Sequence, residues 1–292
     1  MNGPQASWLQ DGKRLHLNHG PIDLIVEAFG DEAERQAAYR QAVARFQTIL
    51  PELVEELAEL RRPAGKTPRH FAGPTARRME AAVVPVSRDF ITPMAAVAGS
   101  VADEMLATLT AGRRLAKAYV NNGGDSALHL ATGQGMSLSI AGTGHGLADR
   151  IVIHAEDDVR GVATSGWRGR SFSLGIADAI TVLARTGAQA DAAATLIANA
   201  VDLPGHPAVV RASASDLAPD SDLGGQLVTT DVGKLTAAEI DTALESGLSV
   251  ANALRRRGLI RAAALFLAGD ARLCGSPTLF LNHDESKELF HA

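Results

Sequence analysis

The feature that most constrains the fold is a series of short apolar runs in the middle of the chain, separated by glycine or acidic turns. These runs cover residues 118–121, 126–131, 136–141, 149–155 and 160–164. Short apolar runs bounded by turn residues are typical of β-strands. The pattern therefore predicts a mostly antiparallel meander.

Helical spacing dominates the region before this meander. Residues 14–29 predict two strands around a turn, and residues 31–62 have the apolar spacing of a helix, with Pro51 dividing the run into two helices. Residues 61–78 are rich in Pro, Gly and basic residues, which favours a mobile connector. Thr92 then precedes a proline suited to a first helical turn, and a helix rich in small residues follows.

After the meander the chain alternates between the two kinds of element. Predicted here are a buried strand at 178–184, a helix at 188–201, a loop-rich crossing at 205–235, a helix from Thr236 to about Arg257, and strands near 260–268 and 278–282. Thr236 and Glu239 have the spacing of a capping box. The order of elements predicts an α+β fold with helices on one side of antiparallel sheets.

Composition excludes several classes of protein. The formal net charge of −5 gives no electrostatic reason to expect nucleic acid. Cys274 is the only cysteine, which excludes an internal disulfide and fits a reducing cytoplasm. No secretory signal and no apolar stretch of roughly 20 residues is present, so we expect a cytoplasmic protein without a membrane segment. A homo-oligomer or a protein partner stays open.

Two glycine-containing stretches follow predicted strands. In NNGGD, the adjacent Gly123 and Gly124 permit positive φ, which suits either a tight turn or a backbone cradle for a ligand bordered by Asn122 and Asp125. In VATSGWRGR, the hydroxyls, the glycine and the arginines suit either a phosphate site or a strand that ends in a basic solvent loop. The residues alone do not decide between these alternatives.

Two helical stretches also carry candidate residues. Asp191 and Thr195 are an i,i+4 pair, so they share one helix face and offer the hard oxygen ligands that Mg²⁺ prefers. The alternative is an aspartate that stabilises the helix dipole beside a packed threonine. Gly99 lowers the stability of its helix by roughly 1 kcal/mol relative to Ala, which indicates close packing or approach of a ligand.

The order of these stretches resembles the ApbE superfamily, whose best-known members are Mg²⁺-dependent FAD:protein FMN transferases. A small-residue helix with G-x-x-x-D comes first, followed by NNGGD after a strand, ATSG, another strand and AD-x-x-x-T. The resemblance covers roughly residues 90–205. The segments HGPIDL and PDSDLGG look more like a sister branch of that superfamily than like the transferases themselves.

The resemblance implies a fold, a ligand and a site. The implied fold is a single α+β domain with an internal duplication, in which two similar halves of antiparallel sheet with packed helices enclose a cleft. The implied ligand is FAD, FMN or another small phosphorylated molecule. Its implied contacts are Asn122, Gly123, Gly124, Asp125, Thr164, Ser165 and Gly166. From its residue type, Arg168 is a further candidate for phosphate, with Arg170 as the alternative. The implied Mg²⁺ ligands are Asp191 and Thr195, with a backbone carbonyl near Val97 and Ala98.

Two departures from the transferases bear on the reaction. Ala98 stands where the transferases carry a lysine, and the short segment 169–174 lacks their His-x-x-Asp-Pro stretch. Both losses remove groups that would contact a nucleotide. The sequence therefore leaves open FMN transfer to a protein acceptor, binding of a phosphorylated ligand without transfer, and an accessory role on the same fold.

Overall fold

A computed structural model describes residues 3–139, 150–275 and 280–281 of the chain. The strands are β1 (Gln5–Trp8), β2 (Leu15–His19), β3 (Ile22–Gly30), β4 (Leu115–Asn122), β5 (Asp125–Leu130), β6 (Gly135–Ser139), β7 (Arg150–His154), β8 (Gly161–Ser165), β9 (Ala179–Ala184), β10 (Val209–Ser213), β11 (Leu227–Val232), β12 (Ala262–Leu267), β13 (Asp270–Cys274) and β14 (Phe280–Leu281). The α-helices are α1 (Glu32–Glu55), α2 (Leu57–Leu60), α3 (Pro74–Val83), α4 (Val97–Thr110), α5 (Gly187–Ala200), α6 (Ala214–Leu217) and α7 (Ala237–Arg256). Short 3-10 helices occupy Val84–Val86 and Pro93–Ala96.

The chain divides into two compact units. The first contains residues 1–135, 154–163 and 184–192, and the second contains residues 136–153, 164–183 and 193–292. The first unit has neighbouring strands in the order β1-β2-β3-β4-β5-β8, with antiparallel pairing throughout. Residues of β2 and β3 alternate between buried and partly exposed, as expected for strands with one face on a core. Helices α1 and α4 pack on that face.

Helix α1 continues through Pro51, so the predicted division at this residue is wrong. Proline removes one intrahelical hydrogen bond and disfavours a helix interior. Here, burial of Ile49 and Leu53 anchors the turns on both sides of the proline in one core. Arg45 also spans the same turns through an ion pair with Glu52 at 2.7 Å. The helix ends at Glu55, only four residues beyond the proline.

The segment assigned to a connector is tied to the first unit by specific contacts. Residues 74–78 already belong to α3, so the irregular part ends before the predicted boundary. Phe71 is buried, and Arg69 donates to Glu80, whose side chain is 3% exposed, at 2.7 Å. Glu56 accepts from the N–H groups of Ala72 and Gly73. These bonds oppose the mobility that the composition favours.

The predicted meander is wrong in one respect, because β5 pairs with β8 and the two intervening strands leave this sheet. Strands β6 and β7 form a separate three-stranded sheet with β14 in the second unit. Five of the six residues of β5 are buried, whereas no residue of β6 is. A strand with that exposure does not fill a position covered on both faces, while β8 begins with three buried residues.

The second unit contains elements that the sequence did not predict. Strands β9, β12 and β13 are antiparallel neighbours, and α7 packs against β12 and β13. The segment read as a loop-rich crossing contains the antiparallel pair β10–β11 and the short helix α6. Strand β13 follows a two-residue loop in which Ala268 and Gly269 have φ values of 52° and 90°. The usual Asn-Gly signal of such a turn is absent there, so the hairpin escaped prediction.

Antiparallel sheets with packed helices confirm the α+β class. Strand β9, helix α5 and the capping box of α7 also occur where they were predicted. Parts of the predicted strands 136–141, 149–155 and 278–282 lie outside the described residues. The internal duplication and the cleft stay predictions. Within the described ranges, no helix is long and apolar enough to cross a membrane.

Candidate functional site

Helix α4 depends on a distant aspartate for its first turn. It follows a 3-10 turn, and its N-cap residue Ala96 supplies no side-chain hydrogen bond. The N–H group of Gly99 instead donates to Oδ2 of Asp191 on α5, at 2.9 Å. Asp191 thus accepts one of the N–H groups that a helix start leaves without an intrahelical partner.

Helix α5 is capped by α4 in the same way. Asp103 accepts from the N–H groups of Gly187 and Ala188 at 2.8 and 2.9 Å. Each helix therefore supplies the aspartate that caps the other. The segments involved, GSVAD at 99–103 and GAQAD at 187–191, have the same G-x-x-x-D spacing. Sequence reasoning identified the first of them and missed the second, although the shared spacing was available as a signal.

The glycines of these two segments allow the helix starts to touch. A Cβ on Gly99 would lie 2.2 Å from the carbonyl oxygen of Gly187, and one on Gly187 would lie 2.9 Å from the carbonyl oxygen of Gly99. Such distances are far below van der Waals contact. Of the two explanations for Gly99, close packing is the one that the geometry supplies.

The NNGGD stretch forms a tight hairpin between β4 and β5. Asn122 and Asp125 are paired across it, and Gly123 and Gly124 form the loop with φ values of 64° and 120°. Both flanking side chains are buried. The Nδ2 group of Asn122 donates to the carbonyl oxygen of Ala98 at 3.1 Å, which brings this hairpin to the start of α4. The turn interpretation holds, and the turn borders the reciprocal caps.

Burial and two neighbouring carboxylates together raise the pKa of Asp191. Burial raises the pKa of Asp191 well above its ordinary value, and the charges of Asp125 and Asp103 raise it further, while N–H groups of Gly99 and Ala98 oppose the shift. Burial likewise raises the pKa of Asp103 against its bonds from Ala188 and Gly187. Negative charge is thus concentrated in a poorly solvated place, where a proton or a cation lowers the free energy.

The first unit brings together Asn122, Asp125 and Asp191 of the predicted site. Thr195 lies one turn after Asp191 on α5, within the second unit, and is partly buried. Within the described residues, no group of three or more His, Cys, Asp and Glu is arranged to hold a metal ion. The oxygen donors of Asp191 and Thr195 nevertheless fit Mg²⁺, which needs few protein ligands beside water and ligand phosphate.

The remaining predicted residues lie in the second unit, on β8 and the turn after it. The hydroxyls of Thr164 and Thr181 are 3.0 Å apart, and Ser165 is partly exposed. A Cβ on Gly166 would lie 2.5 Å from the carbonyl oxygen of Asp178. Close packing against this backbone therefore explains the glycine without a ligand. Arg168 pairs with Asp178, an arrangement that the sequence did not predict.

The family comparison agrees with the motif order. A family model described as AbpE bacteria matches residues 6–273. The chain belongs to this family. Its relatives include a UPF0280 protein from Methanopyrus kandleri, which is 40% identical over 110 residues. The aligned residues are 37% of this chain and 43% of the relative. Another, from Methanocaldococcus jannaschii, is 38% identical over 114 residues, 38% of this chain and 45% of the relative. The predicted ApbE-like sister branch is confirmed.

The chain spans less than half the length of these curated relatives.

Among solved structures, the flavinyl transferase ApbE from Pseudomonas stutzeri in its apo form is 12% identical to this chain. The TM-score is 0.45, over 99% of this chain and 96% of that chain. The ApbE protein from Thermotoga maritima is 14% identical, with a TM-score of 0.37 over 91% of this chain and 80% of that chain.

Proposed function

We propose that this protein binds a flavin nucleotide, or another small phosphorylated ligand, together with Mg²⁺ at the reciprocal caps. The observation that carries the proposal is the geometry of the reciprocal caps, which hold Asp191 and Asp103 at the two helix starts, while Asn122, paired with Asp125, donates to Ala98 at the start of α4. The charges of Asp125 and Asp103 act against the ionised form of Asp191. A divalent cation relieves this repulsion and presents its open positions to ligand phosphate. The ordered motifs of the ApbE superfamily support the choice of a flavin nucleotide.

In this proposal Asp191 and Thr195 hold the ion. The carbonyl of Ala98 already accepts from Asn122, and a carbonyl oxygen has a second lone pair for a further contact. Bound Mg²⁺ would supply charge neutralisation to the phosphates of the ligand. Of the candidate ligand contacts, Asn122, Gly123, Gly124 and Asp125 lie in the same unit as Asp191, and Thr164, Ser165, Gly166 and Arg168 of the second unit stay predictions from the sequence.

Two candidate functions use this site. In the first, FMN is transferred from FAD to a threonine of a protein acceptor. In the second, the ligand is bound without transfer. The second is favoured by Ala98, which offers no cation to a pyrophosphate, and by the tight turn in which the N–H of Gly169 donates to the carbonyl of Gly166 at 3.1 Å. That turn leaves little chain for a loop that covers a nucleotide.

Calorimetric titration with FAD, FMN and ADP, each with and without Mg²⁺, tests the binding proposal. We expect binding that requires Mg²⁺ and that is lost in D191N, because the amide keeps a cap acceptor but removes the charge. D103N is the matched control, since it makes the same change at the mirror-image cap. Because Asp103 contributes charge but is not a proposed ligand of the ion, we expect D103N to weaken Mg²⁺-dependent binding less than D191N does and not to abolish it. Absence of heat from every nucleotide in wild-type protein would contradict the proposal.

Transfer is tested separately from binding. Incubation with FAD, Mg²⁺ and a threonine-containing acceptor protein should release AMP and leave a covalently flavinylated acceptor if the first candidate holds. Saturable FAD binding without AMP release would select the second candidate.

A further inference from the structure

The second unit contains a cavity, and Arg168 is the one residue of its lining that the proposed function also names. Its volume is about 450 Å³, within the range of small-molecule sites. Buried Leu267 and Ile240 contribute apolar lining, and Arg168 and Lys234 contribute positive charge. An apolar lining with a few polar groups is the usual composition of a site for an organic molecule.

The two cations have donors available for a ligand. Arg168 uses Nε to bond Asp178 at 2.6 Å, and its guanidinium lies 4.4 Å from the centre of the Trp167 ring. Its side chain is 62% exposed, and no described residue bonds its terminal nitrogens. Lys234 is exposed, and none of the described residues forms an ion pair with it. With one carboxylate against two cations, the cavity has a net positive charge.

Asp178 fixes the geometry of this cavity. One carboxylate oxygen accepts from Arg168 and from Nε1 of Trp167, and the other accepts from the N–H of Ala268 at 2.7 Å. The guanidinium and the β12–β13 turn are therefore held by the same side chain. A stacked, ion-paired arginine loses less freedom on binding an oxyanion than a mobile one does.

Ala268 lines the cavity in an unusual backbone conformation. It is the one described non-glycine residue with positive φ, at 52°, in a loop whose geometry favours Asn or Gly. A methyl group at this lining position occupies less space than an asparagine side chain. Asparagine would adopt this conformation more readily than alanine but would place a larger side chain at the cavity.

We propose that this cavity binds a small organic oxyanion, with a phosphate or carboxylate group between Arg168 and Lys234 and an apolar part on Leu267 and Ile240. Arginine binds the planar edge of either group with two parallel hydrogen bonds, and lysine adds a point charge. The apolar lining favours a ligand with a ring or short chain over an inorganic ion. The site shares Arg168 with the candidate contacts of the proposed function, and it goes beyond that function because its other lining residues are different and it needs no Mg²⁺.

The test uses the full chain in the absence of Mg²⁺, with phenyl phosphate, benzoate, inorganic phosphate and phenol as probes in NMR or calorimetric titrations. We expect phenyl phosphate or benzoate to bind more tightly than inorganic phosphate and phenol, and the preference between the first two identifies the anionic group. K234A should weaken binding about tenfold, the loss expected from one charge-assisted contact. R168A should weaken it at least as much.

R170A is the matched control, because Arg170 is exposed on the same loop and does not line the cavity. We expect R170A and D191N to bind the probes as wild type does, so failure of the magnesium site and failure of this one are distinguishable. K234A changes an exposed side chain and should leave the far-UV circular dichroism unchanged. The proposal is overturned if neither aromatic oxyanion saturates the protein, or if K234A binds them with wild-type affinity.

Discussion

Gly99 on α4 and Gly187 on α5 meet so closely that a Cβ on Gly99 would lie 2.2 Å from the carbonyl oxygen of Gly187. The same two residues donate their N–H groups to Asp191 and Asp103, each on the other helix. Contact and capping are therefore linked, because moving the helices apart to admit a methyl group also lengthens the bonds to both aspartates.

This relationship predicts that G99A destabilises the protein, although Ala is the better helix former. The helix-propensity gain is about 1 kcal/mol. Overpacking typically costs about 1–3 kcal/mol, and each weakened cap costs about 0.5–2 kcal/mol. We expect a net loss of about 1–6 kcal/mol in the free energy of unfolding, measured with urea. G65A is the control, since a Cβ there meets nothing within 4 Å; an equal effect of both changes would contradict the close-contact explanation.

Replacement of Pro51 in α1 by alanine should stabilise the protein. It is exposed and lacks the N–H that would continue the helix. We expect P51A to raise the free energy of unfolding by roughly 1–3 kcal/mol, because proline in a helix interior costs about 3 kcal/mol relative to alanine. P63A, in an exposed loop, should instead be neutral or slightly destabilising, since it only frees the unfolded chain. A loss of stability in P51A would show that the proline bend itself is required.

The carboxyl group of Glu239 should make the stability of the protein depend on pH in the acidic range. Hydrogen bonds from the Thr236 N–H and from His206 and Thr236 side chains lower the pKa of its carboxyl to about 2, from an ordinary value of 4.5. The ionised form is therefore favoured by folding, so its contribution is present above about pH 4.5 and is lost as the pH falls towards 2. NMR titration of the carboxyl carbon should report the lowered pKa. The stability difference between wild type and E239Q should shrink over the same interval, and a difference independent of pH would contradict this account.

Ala268 links stability to binding in the second unit. We expect A268N to stabilise the protein by roughly 1 kcal/mol, because asparagine tolerates the left-handed conformation better than alanine does. The larger side chain should also weaken binding of phenyl phosphate or benzoate in the proposed cavity. Thermal unfolding and the titrations described above measure the two effects. If A268N is more stable but binds the probes with unchanged affinity, the side chain at position 268 does not limit the space for the ligand.

Local signals predicted the parts of the fold that local chemistry determines. The capping box of α7 and the buried strand β9 are set by residues a few positions apart. The exchange of β6 for β8 beside β5 was not predictable in this way, because it depends on which strand can be buried on both faces. At the site, the i,i+4 pair and NNGGD were found from spacing. The caps were not, since Asp103 and Gly187 are 84 positions apart.

The reciprocal caps also order the events of folding. The bond between Gly99 and Asp191 joins residues 92 positions apart, and its mirror image joins residues 84 positions apart. We expect these two bonds to form after the strands between the helices, including β4, β5 and β8, have paired, because closing so long a loop early costs entropy. During synthesis, α4 is therefore made long before Asp191, the residue that caps it.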